Sequence, residues 1–313
     1  MEELTRVAAD IKSLKIQEAT NIAIEGVKAF SAYINRINPS VSPEELIQKI
    51  EEAYHIIIET RPTEPAMRNG LKKVLYDINQ AKSVTVDEIQ KISIEAGRYY
   101  VDLLKSTKEK IIETGAAQIE SGYTLMTHCH SSITSAIFVR AFEQGKDIKA
   151  ICTETRPRYQ GRKTARELVE AGIPTTQVVD SAMRWILKRE SIDMIVIGLD
   201  AVTSQGTILN KIGSRLLALA AKESDIPLYV AGSLLKFDSD TIFGRKTVIE
   251  MRDDSEITKD WTDAPKGLKV LNPAFEAVSR NLIAAMITEE GVFPSTLVYD
   301  RVKQRYPWML DDR

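Results

Sequence analysis

Histidine and cysteine are scarce in this chain: its 313 residues hold three of the first and two of the second. Two cysteines cannot build a disulfide framework, so Cys129 and Cys152 read as thiols of a reducing, cytoplasmic compartment. An excess of one charge is also missing. With 42 basic against 44 acidic residues, nothing draws the chain to nucleic acid or to a membrane surface. No window approaches the roughly 18 apolar residues of a transmembrane helix, and the N-terminus shows no signal-peptide pattern. There is no Gly-x-x-x-x-Gly-Lys-Ser/Thr loop and no convincing Gly-x-Gly-x-x-Gly fingerprint, which argues against a nucleotide triphosphatase or an ordinary dinucleotide enzyme. What is abundant is core: 43% apolar residues, in a length that suits one large or two ordinary domains.

Residues 1–120 read as a helical domain. Ile22, Val27 and Phe30 share a helix face, as do Leu46, Ile50, Ala53 and Ile57. Ser42-Pro43-Glu44-Glu45 is a helix start, with a serine cap, proline at the first position and acids in the first turn. Thr85-Val86-Asp87-Glu88 is another, and a long helix follows it through Ile92, Ala96, Tyr99 and Leu103 toward Ile119. From residue 121 to 313 short β-rich runs alternate with helical ones. Strands are expected at Tyr123–Met126, Ile148–Thr153, Thr176–Val179, Met194–Ile197 and Leu228–Ala231, and helices at Ser132–Glu143, Thr164–Ala171, Ala182–Arg189 and Leu216–Lys222. Gly172-Ile173-Pro174 and Asp225-Ile226-Pro227 are helix exits. Alternation of this kind implies an α/β fold with right-handed crossovers and a mostly parallel sheet. Residues 244–275, rich in charge and turn formers, form an excursion before a last helix at Arg280–Thr288. Glu-Thr-Arg-Pro occurs at 59–62 and 154–157, too short a match to signal a repeat.

The densest chemistry is Thr127-His128-Cys129-His130. It follows the run Tyr123-Thr124-Leu125-Met126 and precedes Ser131-Ser132-Ile133-Thr134, the pattern of a strand giving way to a helix. Ligands of open α/β sheets collect at such strand ends. A free cysteine is most often an inert core thiol, and Cys152, inside Ala150-Ile151-Cys152, reads that way. Cys129 differs, because a helix N-terminus or a cationic neighbour favours the thiolate. His128 and His130 alternate around it and in an extended segment would face away from the thiol. Further ligands at zinc spacing are not evident, so no metal site is read. Asp200 follows the apolar run Met194–Gly198, where a carboxylate can act as a general acid; its plainer reading is a solvated turn ahead of Gln205-Gly206. Arg61, Arg156 and Lys236 are candidate anion holders, although a lone arginine in a polar stretch ordinarily faces solvent. Asn210-Lys211-Ile212-Gly213-Ser214 reads as a helix opening whose amides can hold phosphate.

These residues resemble a known superfamily. It unites the alpha, beta and delta subunits of eukaryotic translation initiation factor 2B with isomerases of methylthioribose-1-phosphate and ribose-1,5-bisphosphate. The resemblance is carried by Met126-Thr127-His128-Cys129-His130-Ser131, Thr153-Glu154-Thr155-Arg156-Pro157, Val179-Asp180-Ser181-Ala182, Asp200 and Asn210-Lys211-Ile212-Gly213. It continues in Lys236-Phe237, Glu250-Met251-Arg252-Asp253 and Asn272-Pro273-Ala274-Phe275. Within that superfamily the chain is most similar to the archaeal ribose-1,5-bisphosphate isomerases, through Glu59-Thr60-Arg61-Pro62-Thr63 and Thr-His-Cys-His-Ser. The resemblance implies a helical N-terminal domain on a Rossmann-like C-terminal domain, with the active site between them. It also implies pairing through the C-terminal half, hence a homo-oligomer built on dimers, and Ile283-Ala284-Ala285-Met286-Ile287 is an apolar segment that such pairing could use.

On these matches the catalytic cysteine falls on Cys129 and the catalytic aspartate on Asp200. Substrate-holding positions fall on Arg61, Ser131, Asn210, Lys211 and Lys236. The noncatalytic subunits generally lack the cysteine–aspartate pair, so its presence implies an enzyme, and the rearrangement it performs needs no metal or redox cofactor. Two positions depart from the pattern. Arg-Gly-Ala, which helps hold a substrate phosphate, is replaced by Gln17-Glu18-Ala19-Thr20, leaving Ala19 and Thr20 as the neighbouring contacts. Ser132 stands where the bisphosphate enzymes often carry a basic residue. An acid near a phosphate repels it. Two other readings therefore accompany the isomerase: a regulatory subunit with a sugar phosphate or nucleotide as effector, and an isomerase of another phosphorylated pentose.

Overall fold

The computed structural model describes residues 1–16, 18–61, 64–81 and 85–311. Its contacts divide the chain into two units. One is made of residues 1–107, 235–245 and 300–313, the other of 108–234 and 246–299.

The first unit is helical. It contains α1 (Glu2–Lys12), α2 (Ala19–Asn35), α3 (Pro43–Ile58), α4 (Pro65–Gln80) and the first two-thirds of α5 (Val86–Ala116). The Ser42 hydroxyl accepts the Glu45 amide at 3.2 Å and so caps α3. Ile22, Val27 and Phe30 of α2 are fully buried, as are Met67 and Leu71 of α4. These two helices approach closely at Gly70, where a Cβ would come within 2.4 Å of Val27. Later chain, including the two-residue strand β8 (Phe237–Asp238), completes this unit. Asn69 donates from one amide group to the carbonyls of Leu235 and Phe237, at 2.8 and 2.9 Å. Arg68 pairs with Asp238 and Asp240, and Trp308 packs edge-on against Tyr100.

The second unit is built on a sheet of seven strands among the described residues. Six are β1 (Thr124–Thr127), β2 (Lys149–Thr153), β3 (Thr175–Val178), β4 (Met194–Ile197), β7 (Leu228–Ala231) and β10 (Ala285–Thr288), and the edge strand is β11 (Gly291–Phe293). Their order is β11-β10-β7-β4-β1-β2-β3. All pairs are parallel except β10 with β11. The helices α6 (Ser132–Glu143), α7 (Gln160–Glu170), α8 (Met183–Arg189) and α9 (Ser214–Glu223) supply crossovers. Ile137, Phe138 and Leu168 from two of them join Leu125, Cys152 and Val196 in one buried cluster. The chain adds strands on one side of β1, through β2 to β3, then returns to its other side with β4. Between β1 and β4 lies the switch point where open sheets bind ligands.

Three expectations need correction. Arg280–Thr288 is not a helix. A short 3-10 turn at Arg280–Leu282 leads into β10, because a four-residue apolar run does not by periodicity distinguish helix from buried strand. Met286 and Ile287 are accordingly fully buried in the sheet, so Ile283–Ile287 does not offer an apolar face for pairing. Asn210 and Lys211 do not open a helix either; they end β6 (Ile208–Lys211), and α9 begins at Ser214. β6 pairs antiparallel with β5 (Ala201–Thr203) and β9 (Phe275–Val278), an arrangement absent from the expected alternation. Among the described residues no helix is long and apolar enough to cross a membrane.

Candidate active site

Cys129 stands two residues beyond β1, and Asp200 three residues beyond β4. These strands are neighbours in register, Leu125 with Met194 and Met126 with Ile195. The two side chains therefore come from adjacent carboxyl ends at the switch point. Gly198 makes room there: a Cβ on it would lie 2.8 Å from the Ser131 Cβ. Ser131 caps α6, its hydroxyl accepting the Thr134 amide at 3.3 Å, and Ser132 is the first helical residue. The Asp200 amide donates to the Leu209 carbonyl at 3.0 Å, which ties the aspartate loop to β6 and its last two residues, Asn210 and Lys211.

Cys129 is not extended. Its φ is +69°, in the left-handed region a side chain enters only when surroundings hold it. Both of its backbone groups are held by threonines. The Cys129 amide donates to Thr155 Oγ1 at 2.9 Å, and the Thr164 hydroxyl donates to the Cys129 carbonyl at 3.0 Å. The histidines do not simply face away from it. His128 is buried, with Nδ1 2.6 Å from Thr153 Oγ1 and Nε2 2.8 Å from the Ile212 carbonyl. A carbonyl only accepts, so Nε2 carries the proton. Burial lowers the His128 pKa, against the pull of the Ile212 carbonyl and Asp180, and the ring is neutral with Nδ1 accepting from Thr153. His130 Nδ1 lies 3.1 Å from the Thr164 hydroxyl.

Electrostatics at the thiol oppose one another. Burial pushes Cys129 up to about 11, while Lys211 and the His130 amide pull it down and Asp200 and Asp180 push it up. Lys211 is thus the cation that favours the thiolate. It is only 8% exposed and sits 4.9 Å from the Phe275 ring. The adjacent Asn210 amide nitrogen is buried with no hydrogen-bond partner among the described residues. A buried cation and a buried unused donor each suit a polar or anionic ligand. Cys152 is fully buried in β2, its thiol pushed up to about 12 by burial alone.

The start of α9 behaves differently from its expected reading. Glu276 of β9 accepts the amides of Gly213 and Arg215 at 2.6 and 3.0 Å. A carboxylate therefore already occupies the amides assigned to phosphate, as helix N-termini favour either anion. Gly213 has φ +101°, and a Cβ there would meet the His128 ring at 2.8 Å.

Of the residues singled out, Cys129, Ser131, Ser132, Asp200, Asn210 and Lys211 belong to the second unit, and Ala19, Thr20, Arg61 and Lys236 to the first. Ala19 and Thr20 open α2 behind Glu18, whose φ is +67°; Gln17 lies outside the described residues. Arg61 is buried and donates to Glu64 at 3.2 Å. Lys236 is half-buried, between the two carbonyls held by Asn69. Arg156 turns its guanidinium to the Tyr159 hydroxyl at 2.6 Å. Residues without an assigned role prove structurally central. Asp180, following β3, accepts the amides of Thr155 and Arg156 at 2.8 and 2.7 Å. Both Thr155 and Asp180 sit in stretches that followed expected strands, which was the available signal. Among the described residues no group of three or more His, Cys, Asp or Glu side chains is arranged to hold a metal ion.

Comparison with known proteins gives consistent matches. The model of the initiation factor 2 subunit family matches residues 15–295. A ribose 1,5-bisphosphate isomerase of Pyrococcus furiosus is 36% identical over 98% of this chain and 95% of its own length. A methylthioribose-1-phosphate isomerase of Heliobacterium modesticaldum is 32% identical over 90% of this chain and 85% of its own length. Among solved structures, translation initiation factor eIF-2B of Pyrococcus horikoshii superposes with a TM-score of 0.77 at 24% identity. It covers 94% of this chain and 98% of that one, and shows the fold alone.

Proposed function

We propose, from the premise that this chain belongs to the initiation factor 2 subunit family, that it is a sugar-phosphate isomerase converting α-ribose-1,5-bisphosphate to ribulose-1,5-bisphosphate. The observation that carries the reading is the neighbourhood of one thiol. Cys129 and Asp200 stand at adjacent ends of parallel strands, and the thiol is acted on by Asp200 and by the cation of Lys211.

The chemistry uses an acid and a base. Phosphate on the anomeric oxygen prevents spontaneous ring opening. Asp200 donates a proton to the ring oxygen as its bond to C1 breaks, and the Cys129 thiolate takes the proton from C2. The result is an enol phosphate with a C1–C2 double bond. Its C2 hydroxyl loses a proton as C1 gains one, leaving a ketone at C2; C1 is reduced and C2 oxidised within one molecule. Each acid–base contribution is worth about 10²–10⁴-fold. Lys211 stabilises the thiolate, and Asn210 offers its unused amide to a substrate oxygen. Ser131, Ser132, Ala19, Thr20, Arg61 and Lys236 remain assigned to substrate binding on the family resemblance.

The rest of the reading is a cytoplasmic enzyme of nucleotide salvage, open to a nucleotide effector, and a homo-oligomer built on dimers. Purified protein given ribose-1,5-bisphosphate should yield ribulose-1,5-bisphosphate. Methylthioribose-1-phosphate, assayed in parallel, tests the other isomerase. Turnover of neither would move the chain to a regulatory role.

A further inference from the structure

We propose that Thr155 is a positioning residue for Cys129, its hydroxyl holding the cysteine amide so that the left-handed turn persists and the thiol keeps its direction. The proposal rests on Cys129 as the base of the reading above. Thr155 is fully buried and lies just past β2, beside the end of β1. Its Oγ1 accepts the Cys129 amide at 2.9 Å. Its own φ is +61°, and Asp180 fixes it there by accepting the amides of Thr155 and Arg156. Two left-handed, non-glycine residues thus support each other across neighbouring strand ends. Neither conformation persists unless surroundings over-determine it.

The hydroxyl also has a defined polarity. It accepts from Cys129, so its proton is free to point to Thr153 Oγ1, 3.4 Å away. Thr153 in turn donates to neutral His128, whose Nε2–H donates to the Ile212 carbonyl. The amide of Cys129 is therefore linked, donor to acceptor, to the residue after Lys211. The turn has an electrostatic consequence too. It leaves the His130 amide on the Cys129 sulfur, where it favours the thiolate. The other groups facing that sulfur are Lys211 from β6, which favours the thiolate, and Asp200 and Asp180 beyond β4 and β3, which oppose it. His128 and His130 flank it, engaged with Thr153, Ile212 and Thr164. Substituting Thr155 removes no charge from this set, so a changed thiol reports geometry.

The test compares Thr155→Val, which keeps the shape and loses the hydroxyl, with Thr155→Ser, which keeps the hydroxyl. The first readout is peptide-resolved alkylation of Cys129 by iodoacetamide against pH, without substrate, in protein shown to be folded by circular dichroism. The valine variant should label along a profile moved to higher pH, and the serine variant should follow wild type. The second readout is turnover of ribose-1,5-bisphosphate. In the valine variant kcat should fall roughly tenfold or more, as a misplaced base predicts, while KM changes by less than about threefold. Thr155→Ala replaces valine if that variant melts early. A wild-type labelling profile in the folded valine or alanine variant overturns the proposal, as does a serine variant impaired like valine. Failure of the isomerase reading is separate: wild type would then lack turnover, while the labelling shift would still stand.

Discussion

Glu276 accepts the Gly213 amide at 2.6 Å and, with the same oxygen, the Arg215 amide at 3.0 Å. The chain thus caps α9 from β9 rather than from the residues preceding the helix. Glu276→Gln keeps one acceptor oxygen but loses the charge that meets the helix dipole. We expect a stability loss of about 1 kcal/mol, read from the denaturant midpoint. An unchanged midpoint would show the cap to be energetically idle.

Asp200→Asn is nearly isosteric and removes the proton donor. Turnover should fall by roughly 10²-fold or more. At the same time the loss of a negative charge near the thiol should lower the Cys129 pKa and speed its alkylation at pH 7–8. Because burial is what raises this thiol most, a general collapse of the site would also speed labelling, so an unchanged circular dichroism spectrum and melting temperature in the variant separate the two. Slower labelling in the folded variant would contradict the electrostatic account.

Lys211→Met takes away the cation facing the same sulfur. The Cys129 pKa should rise beyond about 11, so labelling at neutral pH slows. Because the same buried cation would also attract an anionic substrate, KM for the bisphosphate should rise as well. Labelling and affinity both equal to wild type would remove Lys211 from the proposed site.

His128 links stability to pH. Burial depresses its pKa below 6.5 in the folded chain, so the unfolded chain binds the proton more readily. This contribution is complete above pH 6.5 and is lost as pH falls below it toward the folded value. Melting temperatures should decline across that window, and His128→Gln should flatten that part of the decline. A variant with the full wild-type slope would assign the acid sensitivity elsewhere.

The sequence made the strand ends legible but not the contacts across them. β4 and α6 match their expected spans because Met194–Ile197 is uniformly apolar and Ser131 supplies a cap. Cys129 and Asp200 could be placed at strand ends from the apolar runs before them. The left-handed turn at Cys129 left no trace, since no glycine or asparagine occupies it; it is imposed by hydroxyls 26 and 35 residues away in sequence. The pairing of β5 with β6 was hidden because three- and four-residue strands carry little alternation. Ala285–Thr288 is a strand through its pairing with β7 and β11, which its own periodicity does not announce.

The helical unit draws its last pieces from residues 235–245 and 300 onward. Biosynthesis runs in one direction, and domains generally fold as they emerge, N-terminal first. Here that order cannot finish early. Until residue 237 leaves the ribosome, the fully buried Asn69 lacks the two carbonyls that receive its amide, and a buried donor without a partner is costly. Tyr100 waits longer still, for Trp308. A nascent chain stalled after residue 107 should therefore be protease-sensitive despite carrying four complete helices.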